Sequence, residues 1–425
     1  MSNSQYYYIK TFGCQMNNYD SSLYENFLIY NGYKSVNNEE SADIIIINTC
    51  AVREKSVDKA LSLIGKIIKL KKERPSITIG VIGCANNLIK KKLKNLKSID
   101  FIFGPLDDKN LPIEFTNFIN NISKEKDQEK DINDNLSSFI PIIFGCNSFC
   151  SYCIVPLVRG GERSRKPIQI INEANICIKK GVKEIILLGQ NVNNYCYDLS
   201  EDYNFSKLLN NIANLNDIKR VGFMTSHPKN FDLEILDIIK ENKKIYRHFH
   251  LPIQSGDDKI LSAMKRGYTV NQYSDLISRI RDYFPLSLIT TDIIVGFPGE
   301  DEISFQNTLS TIKKIGFDNI YAVAYSIRPG TKAALLKNQI SLKEKKKRLN
   351  YLLELQKSIS KEKIKRFIGT KSELFVTEVK IDKVFGKNQE EKLVEIDFSE
   401  NVNPGDLVNI EIIDIKVNNL IGRMI

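Results

Sequence analysis

Long apolar runs are absent from this sequence of 425 residues. No stretch approaches the roughly 18 consecutive apolar residues that a membrane-spanning helix needs, so no membrane association is expected. The opening residues, MSNSQYYYIK, lack the basic start and the apolar core of a signal peptide. These two absences predict a cytoplasmic protein.

Histidine is scarce, and only His227, His248 and His250 could supply imidazole ligands to a metal. Cysteine, by contrast, occurs eight times and several of the cysteines are clustered. Cysteines in a reducing compartment more often bind metal or carry out chemistry than form disulfides. The cysteine pattern is therefore the first place to look for function.

The charge balance is only mildly one-sided. The 61 Lys and Arg residues exceed the 51 Asp and Glu residues, and the net charge of +10 favours a polyanionic partner such as nucleic acid. A hydrophobic content of 42% with 26% charged residues is ordinary for a globular protein, so disorder is not the expected class. The length predicts two or three domains.

The first part of the chain, residues 1–121, is predicted to form an open parallel α/β sheet domain. Its apolar runs YYYIKTF, DIIIIN, ITIGVIG and IDFIFG are rich in β-branched and aromatic residues and alternate with polar helical stretches. The segment 122–138 has almost no apolar residue that could enter a core, so it is predicted to be a linker.

The remaining chain is predicted to form two further domains. Over residues 139–366, strands such as EIILLGQN and ITTDIIVGFPGE end in polar or glycine-rich turns and alternate with helical stretches. This pattern predicts a barrel-like α/β domain with its site at the carboxyl ends of the strands. Residues 367–425 contain the runs ELFVTEV, KLVEIDF and DLVNIEIIDI, which predict a small antiparallel β-barrel.

Three cysteines, Cys146, Cys150 and Cys153, fall within eight residues in the stretch GCNSFCSYC. The small and polar residues between them suit a metal-wrapping loop better than a core strand. A closed metal site normally takes four ligands, and this loop supplies three. Zinc with a distant histidine as the fourth ligand is one alternative, and the spacing favours an iron-sulfur cluster over it, although thiolates suit both.

A second set of cysteines is spread along the first domain. Cys14, Cys50 and Cys84 each follow directly after a predicted strand. The carboxyl ends of parallel strands lie on one edge of the sheet, where open α/β folds bind their ligands, so the three thiols are expected to converge. The other two cysteines, Cys177 and Cys196, are assigned to no cluster; the first is expected to pack in a helix.

These stretches resemble a known family. GCNSFCSYC is similar to the cluster-binding loop of the radical S-adenosylmethionine (SAM) enzymes, and FGCQMN, INTCAVREK and LLGQNVNNY resemble the methylthiotransferases among them. The resemblance covers essentially the whole chain. It implies an N-terminal methylthiotransferase domain, a radical SAM partial (β/α) barrel and a C-terminal RNA-binding module of the TRAM type.

The resemblance also implies the cofactors, which are SAM and two 4Fe-4S clusters, each with three cysteine ligands and one open iron. The radical SAM cluster would take Cys146, Cys150 and Cys153, and the auxiliary cluster Cys14, Cys50 and Cys84. An electron from the first cluster cleaves SAM to methionine and a 5′-deoxyadenosyl radical. At the second, a sulfur is methylated by another SAM and delivered to the activated carbon. No catalytic side chain beyond the ligands is expected, and the electron donor would be a protein such as flavodoxin or ferredoxin.

Other positions match the family's SAM site, and all of them lie at the ends of predicted strands. They are Gly189, Gln190, Asn191, Gln254, Ser255, Ile294 and Gly296. The stretch DIIVGFPGE, which contains the last two, is also satisfied by a buried strand followed by a Pro-Gly turn.

Members of this family modify an adenosine beside the tRNA anticodon or an aspartate of a ribosomal protein. LLGQNVNNY and GFMTSHP resemble the branch that acts on N6-(dimethylallyl)adenosine at tRNA position 37, giving its 2-methylthio derivative. The branches acting on N6-threonylcarbamoyladenosine or on the ribosomal aspartate are alternatives. A zinc-containing RNA-binding protein is the alternative that is not an enzyme. The enzyme is expected to act as a monomer.

Several basic residues could contact the phosphates of a tRNA partner. They are Lys343, Lys345, Lys346, Lys347, Arg348 and Lys387. The stretches KIIKLKKERP and KKKLKNLK are further candidates, although a charge run is also what a solvated helix face shows. Glu390 and Glu391 are unexpected in the C-terminal module, because they fall in a region expected to face RNA.

Overall fold

The computed structural model describes residues 5–52, 54–85, 98–106, 111–122, 136–200, 202–399, 401–417 and 419–425. Most of the predicted linker lies outside these ranges, as does the basic stretch KKKLKNLK at 90–97. The residue limits given above for the domains stay predictions. No helix within the described ranges combines the length and the apolar character that crossing a membrane requires.

The first sheet has five parallel strands in the order β2-β1-β3-β4-β5, which confirms the predicted open parallel α/β sheet. The strands are β1 (Tyr6–Thr11), β2 (Lys34–Ser35), β3 (Ile44–Thr49), β4 (Thr78–Gly83) and β5 (Phe101–Ile102), and the helices are α1 (Gln15–Tyr30), α2 (Glu54–Glu73) and α3 (Ile113–Ile122). Strand β3 is buried along its whole length because its isoleucines pack alternately against α2 on one face and against α1 and α3 on the other.

The second unit is a partial barrel of six parallel strands. Its strands are β6 (Ser137–Pro141), β9 (Glu184–Leu188), β10 (Arg220–Phe223), β11 (His248–His250), β12 (Leu288–Val295) and β13 (Asn319–Ala324), while β7 (Ile143–Phe144) and β8 (Arg163–Ser164) form a separate antiparallel pair. The strands β6, β9 and β10 form one half and β11 to β13 the other, and the halves join where Val221 pairs with Ile245.

Helices alternate with these strands along the chain. They are α4 (Val155–Arg159), α5 (Pro167–Lys179), α6 (Phe205–Ala213), α7 (Glu234–Glu241), α8 (Asp258–Ala263), α9 (Val270–Tyr283), α10 (Glu302–Ile315) and α11 (Leu342–Lys363), with short 3-10 turns at Val192–Asn194, Pro228–Asn230, Lys332–Leu335 and Ile364–Phe367. One continuous apolar core fills the space between strands and helices. The segments 189–191 and 254–255 lie in the loops that follow β9 and β11.

The third unit is a closed barrel in the order β14-β15-β16-β18-β17. Its strands are β14 (Lys371–Val379), β15 (Lys383–Lys387), β16 (Leu393–Asp397), β17 (Leu407–Lys416) and β18 (Asn419–Met424). Four of the five strand pairings are antiparallel. The exception is the parallel pairing of β16 with β18. Strand β18 forms a hairpin with β17 and closes the barrel by pairing with β16.

The loop between β15 and β16 attaches this barrel to the partial barrel. Arg220, which is buried at the start of β10, donates hydrogen bonds to the carbonyls of Lys387 (3.1 Å) and Asn388 (2.8 Å). Its guanidinium also pairs with Glu391, which in turn lies 3.2 Å from the Lys387 ammonium. Glu390 is buried at the same junction. Both glutamates turn inward to meet arginines of the partial barrel, which accounts for acidic residues at this position.

Arg220→Met is expected to lower the thermal unfolding temperature strongly. The guanidinium is shared by the buried carboxylate of Glu184, 2.9 Å away, and the half-buried carboxylate of Glu391. Removing one partner of a buried pair costs about 3–5 kcal/mol. The matched control is Arg423→Met, since Arg423 pairs with Glu411 on the barrel surface and should contribute less than about 1 kcal/mol. Calorimetry that gives both variants the same unfolding temperature contradicts this account of the junction.

Candidate functional site

The loop that carries Cys146, Cys150 and Cys153 follows β7 and is held by backbone hydrogen bonds. The Cys146 amide donates to the Gly160 carbonyl at 3.2 Å, and the Cys153 amide donates to the Cys150 carbonyl at 3.0 Å. Burial raises the pKa of the Cys153 thiol to about 12, and the neighbouring Cys150 and Cys146 thiols add to the effect. The structure thus brings the three predicted ligands together on one tightly turned loop.

Gly145→Ala is expected to displace this loop. Gly145 has φ +72°, and a Cβ there would lie 2.0 Å from the Gly161 carbonyl oxygen. The left-handed conformation alone costs alanine about 1–2 kcal/mol, and the clash must also move Cys146. Iron retained after anaerobic reconstitution should fall to the level of Cys146→Ala.

The control for that experiment is Gly65→Ala. Gly65 lies inside α2, where an added Cβ meets nothing within 4 Å. Alanine there should stabilise the protein by about 0.5–1 kcal/mol and leave the iron content unchanged. Equal iron content in the two glycine variants would show that the Gly145 conformation does not position the loop.

A buried arginine fixes the middle cysteine of the loop. Arg266 is 5% exposed, and its Nη1 lies 3.3 Å from the Cys150 sulfur. Its other nitrogens donate to the Pro252 carbonyl at 2.6 Å and to the Tyr268 hydroxyl at 2.9 Å. Because charge-assisted hydrogen bonds are short and directional, this guanidinium sets the position of the Cys150 sulfur against the strand end at Pro252.

The first group of predicted SAM contacts follows β9. Gly189 comes directly after the strand, and a Cβ there would lie 2.5 Å from the Ile143 side chain. Gln190 is half-buried, whereas Asn191 is buried and its Oδ1 accepts a hydrogen bond from the His227 amide at 3.0 Å. The Asn191 Nδ2 is buried without a partner among the described residues, so it is a donor available to a ligand.

The second group lies at the ends of β11 and β12. Gln254 has φ +76°, and its backbone bonds to Asp292 and Ile294 hold the two strand ends together at 2.9 and 3.0 Å. The Ile294 side chain is half-buried. Ser255 is buried and its hydroxyl accepts from the Asp257 amide at 3.3 Å, so this hydroxyl supports the following turn.

Gly296, the last of the predicted SAM contacts, is tied to a buried carboxylate. Its amide donates to Glu300 at 2.8 Å, and the same Glu300 oxygen pairs with Arg348 at 2.7 Å. The contacts of all seven positions with SAM stay predictions. Their common location at the carboxyl ends of the partial-barrel strands fits a ligand-binding edge.

Cys14, Cys50 and Cys84 meet at the carboxyl edge of the first sheet. A hydrogen bond with the Cys84 thiol and burial raise the pKa of the Cys50 thiol well above its usual range, and the Cys14 thiol adds to the effect. Backbone amides also point at two of the sulfurs: Ala51 donates to Cys84 and Val52 to Cys50, both at 3.4 Å. Amides directed at sulfur are typical of loops that hold iron-sulfur clusters.

Two fully buried asparagines lock the loops of Cys14 and Cys50 together. The Asn17 Nδ2 donates to Asn48 Oδ1 at 2.7 Å and to the Thr49 carbonyl at 3.1 Å, and the Asn48 Nδ2 donates back to the Asn17 carbonyl at 2.8 Å. The Cys14 thiol donates to Asn17 Oδ1 at 3.4 Å. Because an unpaired buried amide is costly, this network fixes the start of α1 against the end of β3.

Helix α4 links the two sets of cysteines. It begins two residues after Cys153. Ile154, directly before the helix, and Val158 within it pack into the same core cluster as Cys50 and Cys84. The turn after β13 makes a second link. Arg328 donates to the Val52 carbonyl at 2.9 Å, and the Ala333 amide donates to the Ser151 carbonyl at 2.8 Å. The two cysteine triples are therefore neighbours across one junction between the first sheet and the partial barrel.

Arg159, the last residue of α4, carries a charge into this junction. It forms an ion pair with Asp20 at 3.1 Å, and the two side chains are only 4% and 2% exposed. A hydrogen bond with the Cys50 thiol and the nearby Arg159 guanidinium hold the pKa of Cys84 well below its usual range, despite burial. The charge also acts on Cys14.

The histidines that could serve as a fourth zinc ligand have hydrogen-bond partners within the protein. Within the described ranges, no three Cys, His, Asp or Glu side chains are spaced to hold a single metal ion. His248 and His250 bond to the Thr290 hydroxyl at 2.8 and 3.0 Å.

The predicted phosphate contacts on α11 divide into two groups. Three lysines are exposed: Lys343, Lys346 and Lys347. Lys345 and Arg348 are buried: the Lys345 ammonium lies 4.9 Å from the centre of the Tyr325 ring, and Arg348 pairs with Glu300. The prediction is wrong for these two residues, because their side chains point into the protein.

The sequence analysis missed the buried residues that position the cysteines. Arg159 stands in IVPLVRGG, directly after the cysteine loop, and Arg266 in AMKRGY. Asn17 follows Cys14 by three residues, and Asn48 precedes Cys50 by two. Proximity to the motifs was the available signal, but the sequence does not reveal which of the neighbouring polar residues are buried.

Two family models match the chain: the uncharacterized protein family UPF0004 over residues 6–104 and the radical SAM superfamily over residues 140–312. Curated relatives named tRNA-2-methylthio-N(6)-dimethylallyladenosine synthase match along nearly the whole length. The relative from Thermodesulfovibrio yellowstonii is 41% identical over 98% of this chain and 98% of its own. The relative from Desulforamulus reducens is 39% identical over 100% of this chain and 96% of its own.

A similarity in fold also extends to solved structures. A radical S-adenosylmethionine methyltransferase from Kitasatospora setae superposes with a TM-score of 0.58, covering 78% of this chain and 77% of its own. The sequence identity is 13%, so this similarity concerns the fold alone.

Proposed function

Because the chain belongs to the tRNA-2-methylthio-N(6)-dimethylallyladenosine synthase family of radical SAM enzymes, we propose that it methylthiolates tRNA. The proposed substrate is N6-(dimethylallyl)adenosine at position 37, next to the anticodon. In the product, a methylthio group replaces the hydrogen on C2 of the base. The enzyme is a transferase of sulfur-containing groups.

The observation that carries this proposal is the pairing of two cysteine triples across one junction. Sulfur insertion at an unactivated carbon needs both a means of removing hydrogen and a source of sulfur. One triple lies beside the strand ends of the partial barrel and the other at the edge of the first sheet. Two sites in contact through α4 supply both requirements to one substrate carbon.

The radical SAM family uses SAM and a 4Fe-4S cluster. We infer that Cys146, Cys150 and Cys153 hold this cluster. The tight loop, the Arg266 contact to Cys150 and the unpartnered amide of Asn191 fit a cluster and a polar cofactor at this edge. When bound, the cluster and SAM supply one-electron cleavage of SAM to a hydrogen-abstracting radical.

We further infer that the second triple holds a second 4Fe-4S cluster, whose role is to present the sulfur that is methylated and transferred. The chain's own contribution is to orient and to shield. The backbone amides of Ala51 and Val52 face two of the sulfurs, and Asn17 and Asn48 hold the two loops in register. Cys50 and Cys84 are buried, which keeps water away from a reactive sulfur.

The proposed partners follow from the same reaction. The tRNA would be held by the C-terminal barrel, acting as a TRAM module, and by exposed basic residues such as Lys343, Lys346 and Lys347. A flavodoxin or ferredoxin would supply electrons. The proposal places this monomeric enzyme in the cytoplasm, where its substrate is made.

Mass spectrometry of tRNA nucleosides from a deletion strain tests the substrate. We expect 2-methylthio-N6-(dimethylallyl)adenosine to disappear and N6-(dimethylallyl)adenosine to accumulate. A plasmid encoding the Cys177→Ser variant should restore the product, because Cys177 is a packing residue outside both triples. Unchanged 2-methylthio-N6-(dimethylallyl)adenosine overturns the substrate assignment. Loss of the methylthio form of N6-threonylcarbamoyladenosine would instead support that branch.

A further inference from the structure

The auxiliary triple is completed by a residue from the other side of the junction. Cys14, Cys50 and Cys84 belong to the first sheet, whereas Arg159 belongs to α4, six residues beyond Cys153 in the chain. Its guanidinium is buried, and the adjacent Val158 packs in the same core cluster as Cys50 and Cys84. The first sheet alone therefore does not contain the whole electrostatic environment of its cysteines.

Asp20 on α1 is the partner of this cation. Its carboxylate accepts a hydrogen bond from Arg159 Nη2 at 3.1 Å and is itself buried. Asp20 orients the guanidinium and partly cancels its charge. Burying an ion pair is costly unless its groups have further partners. Burial lowers the pKa of Arg159, but Asp20 and the nearby Cys84 and Cys14 thiols raise it overall.

We propose that Arg159 is a positioning residue that sets the reduction potential of the auxiliary cluster. The inference rests on the proposed function, because it requires a second cluster at Cys14, Cys50 and Cys84. Cluster potentials depend on net charge and on hydrogen bonds to the sulfurs. A buried cation beside two of the ligands favours the more negatively charged state of the cluster and so raises its potential. Asp20 acts in the opposite direction.

A further consequence concerns the sulfur that is transferred. A transferred sulfur held at this cluster would carry negative charge, and the buried guanidinium of Arg159 would offer a fixed positive charge near it without reorganisation. Docking of α4 against the first sheet delivers the cation. The auxiliary site is thus electrostatically complete only when the partial barrel is in place.

The test uses full-length protein in which Cys146, Cys150 and Cys153 are all changed to Ala, so that only the auxiliary cluster remains. In this background, Arg159→Gln and Asp20→Asn are compared by redox titration monitored by electron paramagnetic resonance, with iron content measured alongside. Arg159→Gln should lower the potential and Asp20→Asn should raise it. Each change should shift the ratio of oxidised to reduced cluster at fixed potential by about tenfold, which is 59 mV for a one-electron couple.

Shifts of the reduction potential in opposite directions distinguish this role from that of a purely structural ion pair. Loss of a structural pair would lower the stability or the iron content of both variants. It would leave the potential of the retained cluster unchanged. Arg159→Lys keeps the charge and should return the potential towards that of the background protein. Equal potentials in all variants, or shifts of the same sign for Arg159→Gln and Asp20→Asn, overturn the proposal. If the background protein itself holds no iron, the proposed second cluster is what fails.

Discussion

Cys50→Ala is expected to stop methylthiolation while reductive cleavage of SAM continues. Cys50 belongs to the triple at the edge of the first sheet, and its thiol contacts Cys84 rather than the loop at 146–153. Removing a ligand should reduce product formation by at least about 100-fold, since loss of a mere supporting contact to a metal ligand already costs about 10–100-fold. Methylthiolated product and 5′-deoxyadenosine are quantified in the same anaerobic reaction.

The control for this prediction is Cys177→Ser. This variant should form both products, because Cys177 packs on the core of the partial barrel. Sulfur insertion that persists in Cys50→Ala removes the auxiliary triple from the proposed function. Loss of both products in Cys50→Ala would mean that the two sites cannot be separated.

Cys150→Ala is expected to abolish both SAM cleavage and methylthiolation. Cys150 lies at the centre of the loop, and Arg266 holds its sulfur at 3.3 Å. Iron should fall from about eight to about four atoms per chain, because one of two four-iron clusters is lost. Iron analysis and Mössbauer spectroscopy after anaerobic reconstitution measure the change.

The same measurements decide between iron and zinc. A colourless wild-type protein that contains zinc and cleaves no SAM would support the alternative of a zinc-containing RNA-binding protein. Continued SAM cleavage in Cys150→Ala would show that this cysteine is not a ligand of the radical-generating cluster.

The convergence of Cys14, Cys50 and Cys84 follows from topology, which is why the sequence predicts it. Each strand is a recognisable apolar run, and parallel strands have their carboxyl ends on one edge. The contact between this edge and Arg159 follows from the packing of one unit on another. Arg159 is separated from Cys84 by 75 residues, and no local pattern indicates that the two meet.

The charges of α11 show a different limit. Lys345, Arg348 and Leu352 are spaced three or four residues apart, so they lie on the face that Leu352 buries. The helical spacing therefore predicts that Lys345 and Arg348 point inward with Leu352. Treating the segment only as a run of charges does not distinguish these two residues from the exposed lysines. Glu390 and Glu391 could not be placed in this way, because their partners Arg247 and Arg220 lie in another unit.

The central claim is that two cysteine triples perform two parts of one reaction on tRNA. The most direct test is an anaerobic reaction of the reconstituted protein with SAM, a reductant and an anticodon stem-loop that contains N6-(dimethylallyl)adenosine. The nucleosides formed are identified by mass spectrometry. The account predicts 2-methylthio-N6-(dimethylallyl)adenosine together with 5′-deoxyadenosine. Formation of 5′-deoxyadenosine with the base left unmodified, by protein that holds both clusters, would contradict it.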